Sequence, residues 1–160
     1  MFFVTENEVP RRTDPTHVDG LTVVDELDEQ QVEQLHQLIQ RQWWGGGRSL
    51  DEVRVMVDNT SLMIGLVERQ TGRLVGYCRA LTDFAFRATI YDVMVVEDLQ
   101  GMGLGLGTRL MEEICQHPKL QPVSLVYLAC EPALSPFYSR WGFRPYAGKT
   151  KWMLKVQREE

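Results

Sequence analysis

The chain has 160 residues, 44% apolar and 24% charged, which suits one globular core and is too apolar for a disordered chain. No run of about 18 apolar residues occurs, and the opening residues lack the charged start and apolar middle of a secretory leader, so neither a membrane span nor a leader is predicted. A formal charge of −5 argues against a polybasic nucleic-acid binder.

Residues 1–20 are polar, carry Pro10, Pro15 and Gly20, and read as an N-terminal arm; residues 21–156 read as a single domain. Residues 21–25 form a short β-rich run. Asp28 with Gln31 three places on forms a helix start, and Leu27 with Val32 can staple it. Val32, Leu35, Leu38 and Ile39 continue at helical spacing to about Arg41. Trp43-Trp44-Gly45-Gly46-Gly47-Arg48 breaks the pattern. Ser49 and Glu52 then start a second, shorter helix with Leu50, Val53, Met56 and Val57 on its apolar face.

Strands are predicted at residues 62–68 and 74–82, joined by the hairpin loop Gln70-Thr71-Gly72-Arg73, and at 88–96, which is rich in β-branched residues. Leu106, Leu110, Met111 and Ile114 mark a helix that ends near His117-Pro118. Residues 123–129 are nearly all apolar, as in a strand buried on both faces. Residues 135–141 suit a short helix stopped by Gly142, and 151–156 a final strand. The order is βααβββαβαβ. The three consecutive strands predict an antiparallel meander, and the helix before the next strand a parallel crossover. The fold class is therefore α/β, a mixed sheet covered by helices.

Cys78, Cys115 and Cys130 give no disulfide framework and no Cys-x-x-Cys pair, which predicts a reducing, cytoplasmic setting. His17, His36 and His117 stand apart, so no metal site is predicted.

Gly101, Gly103, Gly105 and Gly107 alternate between a strand and a helix. Glycine lets a backbone turn tightly and approach a ligand, and the unpaired amides of a helix N-terminus favour phosphate. No placement of Gly-x-Gly-x-x-Gly fits, and the Lys-Ser/Thr ending of a P-loop is absent. Gln100-x-x-Gly103-x-Gly105 instead resembles the pyrophosphate motif of the GCN5-related N-acetyltransferase (GNAT) superfamily. Ser135-Pro136-Phe137-Tyr138-Ser139-Arg140-Trp141-Gly142-Phe143 is similar to a second segment of that superfamily, and the order of elements also matches. The resemblance runs from about Leu21 to Phe143.

The resemblance implies an N-acetyltransferase that moves acetyl from acetyl-CoA, a cosubstrate, to a primary amine by direct attack in a ternary complex. The alternative is a non-catalytic acyl-CoA-binding or regulatory domain on the same fold. The pyrophosphate would lie on amides of Gln100, Gly101, Met102, Gly103, Leu104 and Gly105. A second register runs through Gly107 and Thr108, because the apolar helix positions fall three and four places after Gly107 rather than after Gly105. Backbone groups of Val95 and Val96 would bind the acetyl carbonyl and pantetheine, and Ser135 would lie on the cofactor side.

The resemblance gives Tyr138 the role of the acid that protonates the departing thiolate. A phenol is protonated at neutral pH and suits that task. Glu131-Pro132 stands where the superfamily usually has Asn. Its fourth-strand Glu is replaced by Thr89, so the base does not carry over. Asp92 is then the candidate base, or else a structural carboxylate. Strict alternation would place Asp92 with Ile90, Met94 and Val96 on one face of its strand. Trp43, Trp44, Arg48 and Asp83 are candidates for the acceptor side, with exposed indoles suited to a cation. The expected partner is a small-molecule or peptide amine. No nucleic acid or membrane is expected, and a homodimer is left open.

Overall fold

A computed structural model describes residues 20–149 and 152–157. The N-terminal arm before Gly20 lies outside the described residues. The chain forms β1 (Leu21–Val24), α1 (Glu29–Gln40), α2 (Leu50–Asp58), β2 (Leu62–Glu68), β3 (Leu74–Thr82), β4 (Arg87–Val95), α3 (Leu106–Cys115), β5 (Leu125–Tyr127) and α4 (Ser135–Ser139), with short 3-10 turns between some of them.

Both predicted helix starts are present with reciprocal side-chain bonds. Asp28 accepts from the Gln31 amide at 2.8 Å while Gln31 accepts from the Asp28 amide at 3.1 Å. Ser49 and Glu52 repeat the arrangement at α2. Each box satisfies amides that a helix start leaves unpaired. At the other end of the chain, α4 gives way at Gly142, whose φ of 81° is open to glycine and rare for other residues.

The sheet order is β1-β2-β3-β4-β5. The first four strands are antiparallel neighbours, and β5 joins β4 in parallel after the α3 crossover. The sheet separates two apolar layers. Ile64, Leu66, Val75, Ile90, Val93 and Val95 face α3 and Tyr138. Val67, Tyr77 and Met94 face α1 and α2, with Leu35, Ile39, Trp44 and Val53.

Strict alternation fails on β4. Between Tyr77↔Met94 and Arg79↔Tyr91 the register shifts, so Cys78 faces two residues, Asp92 and Val93. Asp92 takes the extra place with φ 54°, in the left-handed region that Asp tolerates better than most residues. The bulge resets the faces. Ile90 shares a layer with Val93 and Val95 rather than with Met94.

Two further expectations need correction. β5 is three residues long, not seven, and is half exposed rather than buried on both faces, because no further strand covers it among the described residues. The final strand expected at 151–156 is not formed by the described residues 152–157, whose apolar side chains lie in water. An alternating apolar pattern makes a strand only when an edge pairs with it.

Candidate active site

β4 and β5 meet only at Arg87↔Leu125, Ala88↔Val126 and Thr89↔Tyr127. Beyond Thr89, β4 keeps its ladder to β3 as far as Val95, while its other side has no strand partner among the described residues. The sheet therefore parts into a wedge. At its head the Val96 amide donates to the Val75 carbonyl at 3.0 Å, toward β3. Because backbone groups alternate sides along a strand, the Val95 amide points the other way, into the wedge. The Val95 carbonyl is already used, accepting from Gln100 Nε2 at 2.6 Å. Gln100 thus braces the turn that follows β4. Arg73 braces it from outside, donating through Nη2 to both carboxylate oxygens of Asp98 at 2.6 and 2.8 Å.

The glycine loop closes the wedge. Gly101, Gly103 and Gly105 have φ of 70°, 71° and 65°, so every second residue is left-handed. This alternation turns successive amides toward one side, a concave anion-binding backbone. A Cβ built on Gly101 or Gly103 meets nothing within 4 Å, so the space in front of the backbone is open. Gly105 caps α3 without a side chain, and the first intrahelical bond runs from the Arg109 amide to the Gly105 carbonyl at 2.9 Å. The amides of Leu106, Gly107 and Thr108 therefore have no intrahelical acceptor.

The loop from Met102 to Gly105 runs directly into the first turn of α3, so the amides of both registers are contiguous along the chain. The apolar phase follows, with Leu106, Gly107, Leu110, Met111 and Ile114 buried against the sheet. Leu104 packs beside this core, and Met102 points into water.

On the same side of the sheet, α4 supplies Tyr138. Its ring is buried edge-on against Phe137 and Phe143, and its hydroxyl has no hydrogen-bond partner. Burial pushes the phenol pKa up, and the neighbouring Cys130 and Cys78 thiols add to this. The hydroxyl stays protonated across the ordinary pH range. Ser135 opens α4 and is half-buried.

Arg140, two places after Tyr138, was not singled out from the sequence. Its Nη2 donates to Thr108 Oγ1 at 2.8 Å, and its guanidinium lies 4.6 Å from the ring centres of both Phe137 and Trp141. It adds a fixed positive charge beside the amide-lined turn, where an anion already gains from the helix end. No local pattern links Arg140 to Thr108; only the return of α4 onto α3 does.

The predicted acceptor residues are not brought together as expected. Trp44 is buried in the α1–α2 layer, and Trp43 is the exposed indole of the pair. The apolar spacing of α1 continues through Trp44, which plugs the layer as the chain leaves the helix. Arg48 already covers the Trp44 ring at 4.8 Å, so that face is not open to a substrate cation.

Asp83 is a turn residue. Its Oδ1 accepts from the amides of Ala85, Phe86 and Arg87 at 2.9, 2.7 and 2.9 Å. The amides of Arg87, Ala85 and Phe86 hold its carboxyl below the usual range. It sits at the start of β4, the end opposite the glycine loop. Asp92 is buried and pairs through Oδ2 with Arg79 Nε at 2.5 Å, and the Arg79 guanidinium lies 5.0 Å from the centre of the Tyr91 ring. Among the described residues no group of three His, Cys, Asp or Glu side chains could hold a metal ion, and no helix is long and apolar enough to cross a membrane.

A wedge between parallel strands, closed by an amide-lined turn at a helix start, is an arrangement suited to a nucleotide-type anion. Residues 60–145, more than half the chain, match the profile of the acetyltransferase (GNAT) domain, and the chain belongs to that family. It is 36% identical over 98 residues, 60% of this chain and 55% of the relative, to an uncharacterized N-acetyltransferase, ycf52, of Pyropia yezoensis. Over 72 residues, 45% of this chain and 35% of the relative, it is 39% identical to serotonin N-acetyltransferase 2, chloroplastic, of Oryza sativa subsp. japonica. The chain spans about half the length of the first of these curated relatives, and less of the second. Among solved structures, a GNAT-family protein from Xanthomonas campestris pv. campestris superposes with a TM-score of 0.74 at 26% identity, covering 85% of this chain and 92% of that one.

Proposed function

We propose that this protein is an acetyl-CoA-dependent N-acetyltransferase acting on a primary amine by direct attack in a ternary complex. The observation that carries the reading is the parting of β4 from β5 directly above the glycine loop. It leaves a strand edge and a set of helix-start amides facing one space. The residues present fit acetyl-CoA. The concave turn is open where a Cβ would intrude, and the buried Tyr138 hydroxyl lacks a partner that a thiol or thiolate would supply.

When bound, acetyl-CoA supplies an activated acyl group on a good leaving group. The chain then has three tasks. The amides from Gly103 to Thr108, with Arg140 beside them, hold the pyrophosphate. The Val95 amide orients the acyl carbonyl and polarises it where negative charge develops. Tyr138, kept protonated by burial, delivers a proton to the departing sulfur. The Asp92 carboxylate is committed to Arg79, which favours an ordered water as the group that takes the amine's proton. Trp43 remains the exposed aromatic on the α1–α2 connection and the better candidate for contact with the acceptor.

Thiol release from acetyl-CoA, followed against a panel of amines that includes arylalkylamines, polyamines and peptide N-termini, tests the reading. Amine-dependent release is expected for at least one class, in view of the N-acetyltransferase relatives. Tight acetyl-CoA binding without amine-dependent release across the panel would instead make this a binding domain on the same fold.

A further inference from the structure

A thiol of this chain stands beside the place that a cosubstrate thiol would take. β5 pairs with β4 only as far as Tyr127, and the residues that follow form the second wall of the wedge. Cys130 is the third residue of that wall, up to about 10 Å past the last strand pair. It is half-buried and packs against the apolar layer that contains Tyr138. Its thiol is near enough to help raise the Tyr138 phenol pKa, yet the Tyr138 hydroxyl has no hydrogen-bond partner. Thiol and hydroxyl thus stand close without a bond between them. The departing sulfur of the acetyl-transfer reading belongs beside that same hydroxyl.

The other two cysteines do not share this place. Cys78 is buried, and its Sγ donates to the Leu110 carbonyl at 3.8 Å. Cys115 is the last residue of α3, about 14 Å of helix from the amide-lined turn. Burial pushes the Cys130 thiol pKa up. A thiol with little thiolate is slow toward a disulfide that it meets only by collision. It captures one that the site itself holds in position, because a bound partner has a high effective concentration.

On the acetyl-CoA reading of the wedge, on which this rests, we propose that Cys130 is a modification site that forms a mixed disulfide with CoA. The reagent is CoA disulfide. One half lies with its pyrophosphate on the Gly103–Thr108 amides, and the other projects through the side that admits the acceptor amine. The Cys130 sulfur, having lost its proton, attacks the sulfur of the bound half. The bond between Cys130 and CoA forms as the bond between the two CoA sulfurs breaks, and the departing CoA thiolate takes up one proton. One disulfide is consumed and one is formed, so no further oxidant enters. The CoA sulfur rides on a flexible pantetheine arm, so this bond needs no fixed pair of backbone positions, unlike a disulfide within the chain. The captured CoA occupies the wedge and excludes acetyl-CoA until a small thiol releases it by the reverse exchange.

The test is intact-protein mass spectrometry without reductant after incubation with CoA disulfide, beside a parallel incubation with glutathione disulfide at equal concentration. One CoA per chain is expected, forming at least about tenfold faster than the glutathione adduct, because only CoA carries the pyrophosphate handle. Dithiothreitol should remove it, and saturating acetyl-CoA should slow its formation. Peptide mapping of the wild type should place it on Cys130, whether or not a variant folds. Cys115→Ser should keep the adduct, and folded Cys130→Ser should lose it. An adduct on Cys78 or Cys115, equal rates with the two disulfides, or no protection by acetyl-CoA overturns the inference. So does the absence of an adduct in a protein that binds acetyl-CoA by calorimetry, which leaves the acetyl-CoA reading standing. Absence of both binding and adduct overturns that reading and the inference with it.

Discussion

Replacing Gly103 by Ala separates the cost of a backbone conformation from the loss of a ligand site, because the structure contains its own control. Gly101 and Gly103 have φ of 70° and 71°, and a Cβ at either meets no protein atom within 4 Å. Alanine at either place is forced into the left-handed region, costing about 1–2 kcal/mol of fold stability, with no added clash. Thermal melts of Gly101→Ala and Gly103→Ala should therefore show similar losses. Acetyl-CoA affinity should not. Gly103 begins the run of amides that continues into Leu106, Gly107 and Thr108, whereas Gly101 precedes it by two residues. A methyl group on the approach to the pyrophosphate should weaken binding at least tenfold, about 1.4 kcal/mol, measured by calorimetry. At Gly101 the loss should stay within about threefold, roughly 0.6 kcal/mol. Equal affinities for the two variants, with both folded, would refute the assignment of the pyrophosphate to the Gly103–Thr108 amides.

Tyr138→Phe should lower kcat by roughly 10²-fold with acetyl-CoA affinity nearly unchanged, as steady-state kinetics and calorimetry would show. It should not lower the melting temperature, because the buried hydroxyl it removes makes no hydrogen bond; a large drop would reveal a structural partner. Asp83→Asn should flatten the acid end of the stability–pH curve. The Asp83 carboxyl is held below its ordinary range in the fold, so its contribution is complete above about pH 4 and is lost as pH falls through the lower folded value. Urea melts of both proteins between neutral and acid pH would show wild type losing more than the variant.

The sequence was most legible where structure is written locally. Both capping boxes, the Gly72 turn and the Gly142 stop follow from contacts within a few residues, and each formed as read. The glycine loop was legible for the same reason. Gly105 is the helix cap, and a helix starting at Leu106 puts Leu110 and Met111 on the core side, which accounts for the apolar phase that the motif alone leaves out of step.

The features the sequence does not reveal are non-local. The bulge at Asp92 depends on Cys78 across the ladder, so no pattern within β4 announces it. Trp43 and Trp44 are identical in type, and only the path out of α1 decides which one enters the core. Asp83 reads as an acceptor-side candidate in the sequence because its three amide donors are supplied only once the following turn has closed. β5 looked like a central strand because its apolar composition does not say whether another strand covers it.

Asp92 is where the fold and the chemistry compete for one side chain, and Asp92→Asn decides between them. Asn tolerates the left-handed backbone as well as Asp, so the bulge survives and only the charge is lost. The Arg79 guanidinium, with side-chain exposure of 13%, is then left beside a neutral amide. Breaking one side of a pair this enclosed costs about 3 kcal/mol, less if water reaches Arg79. The expected result is a clear fall in melting temperature with kcat per folded molecule kept within a few-fold. Arg79→Met should fall in parallel, because it strands the carboxylate instead, and combining the two changes should cost less than their sum. A general base would behave otherwise, with a loss in kcat of roughly 10²- to 10⁴-fold for Asp92→Asn. In that case Arg79→Met, which leaves the carboxylate in place, would retain activity. A large kcat loss confined to Asp92→Asn would overturn the structural role and return Asp92 to the reaction. Parallel losses of stability would leave the bulge as the feature that matters, since the register shift it sets turns Val95 toward the α3 layer at the head of the wedge.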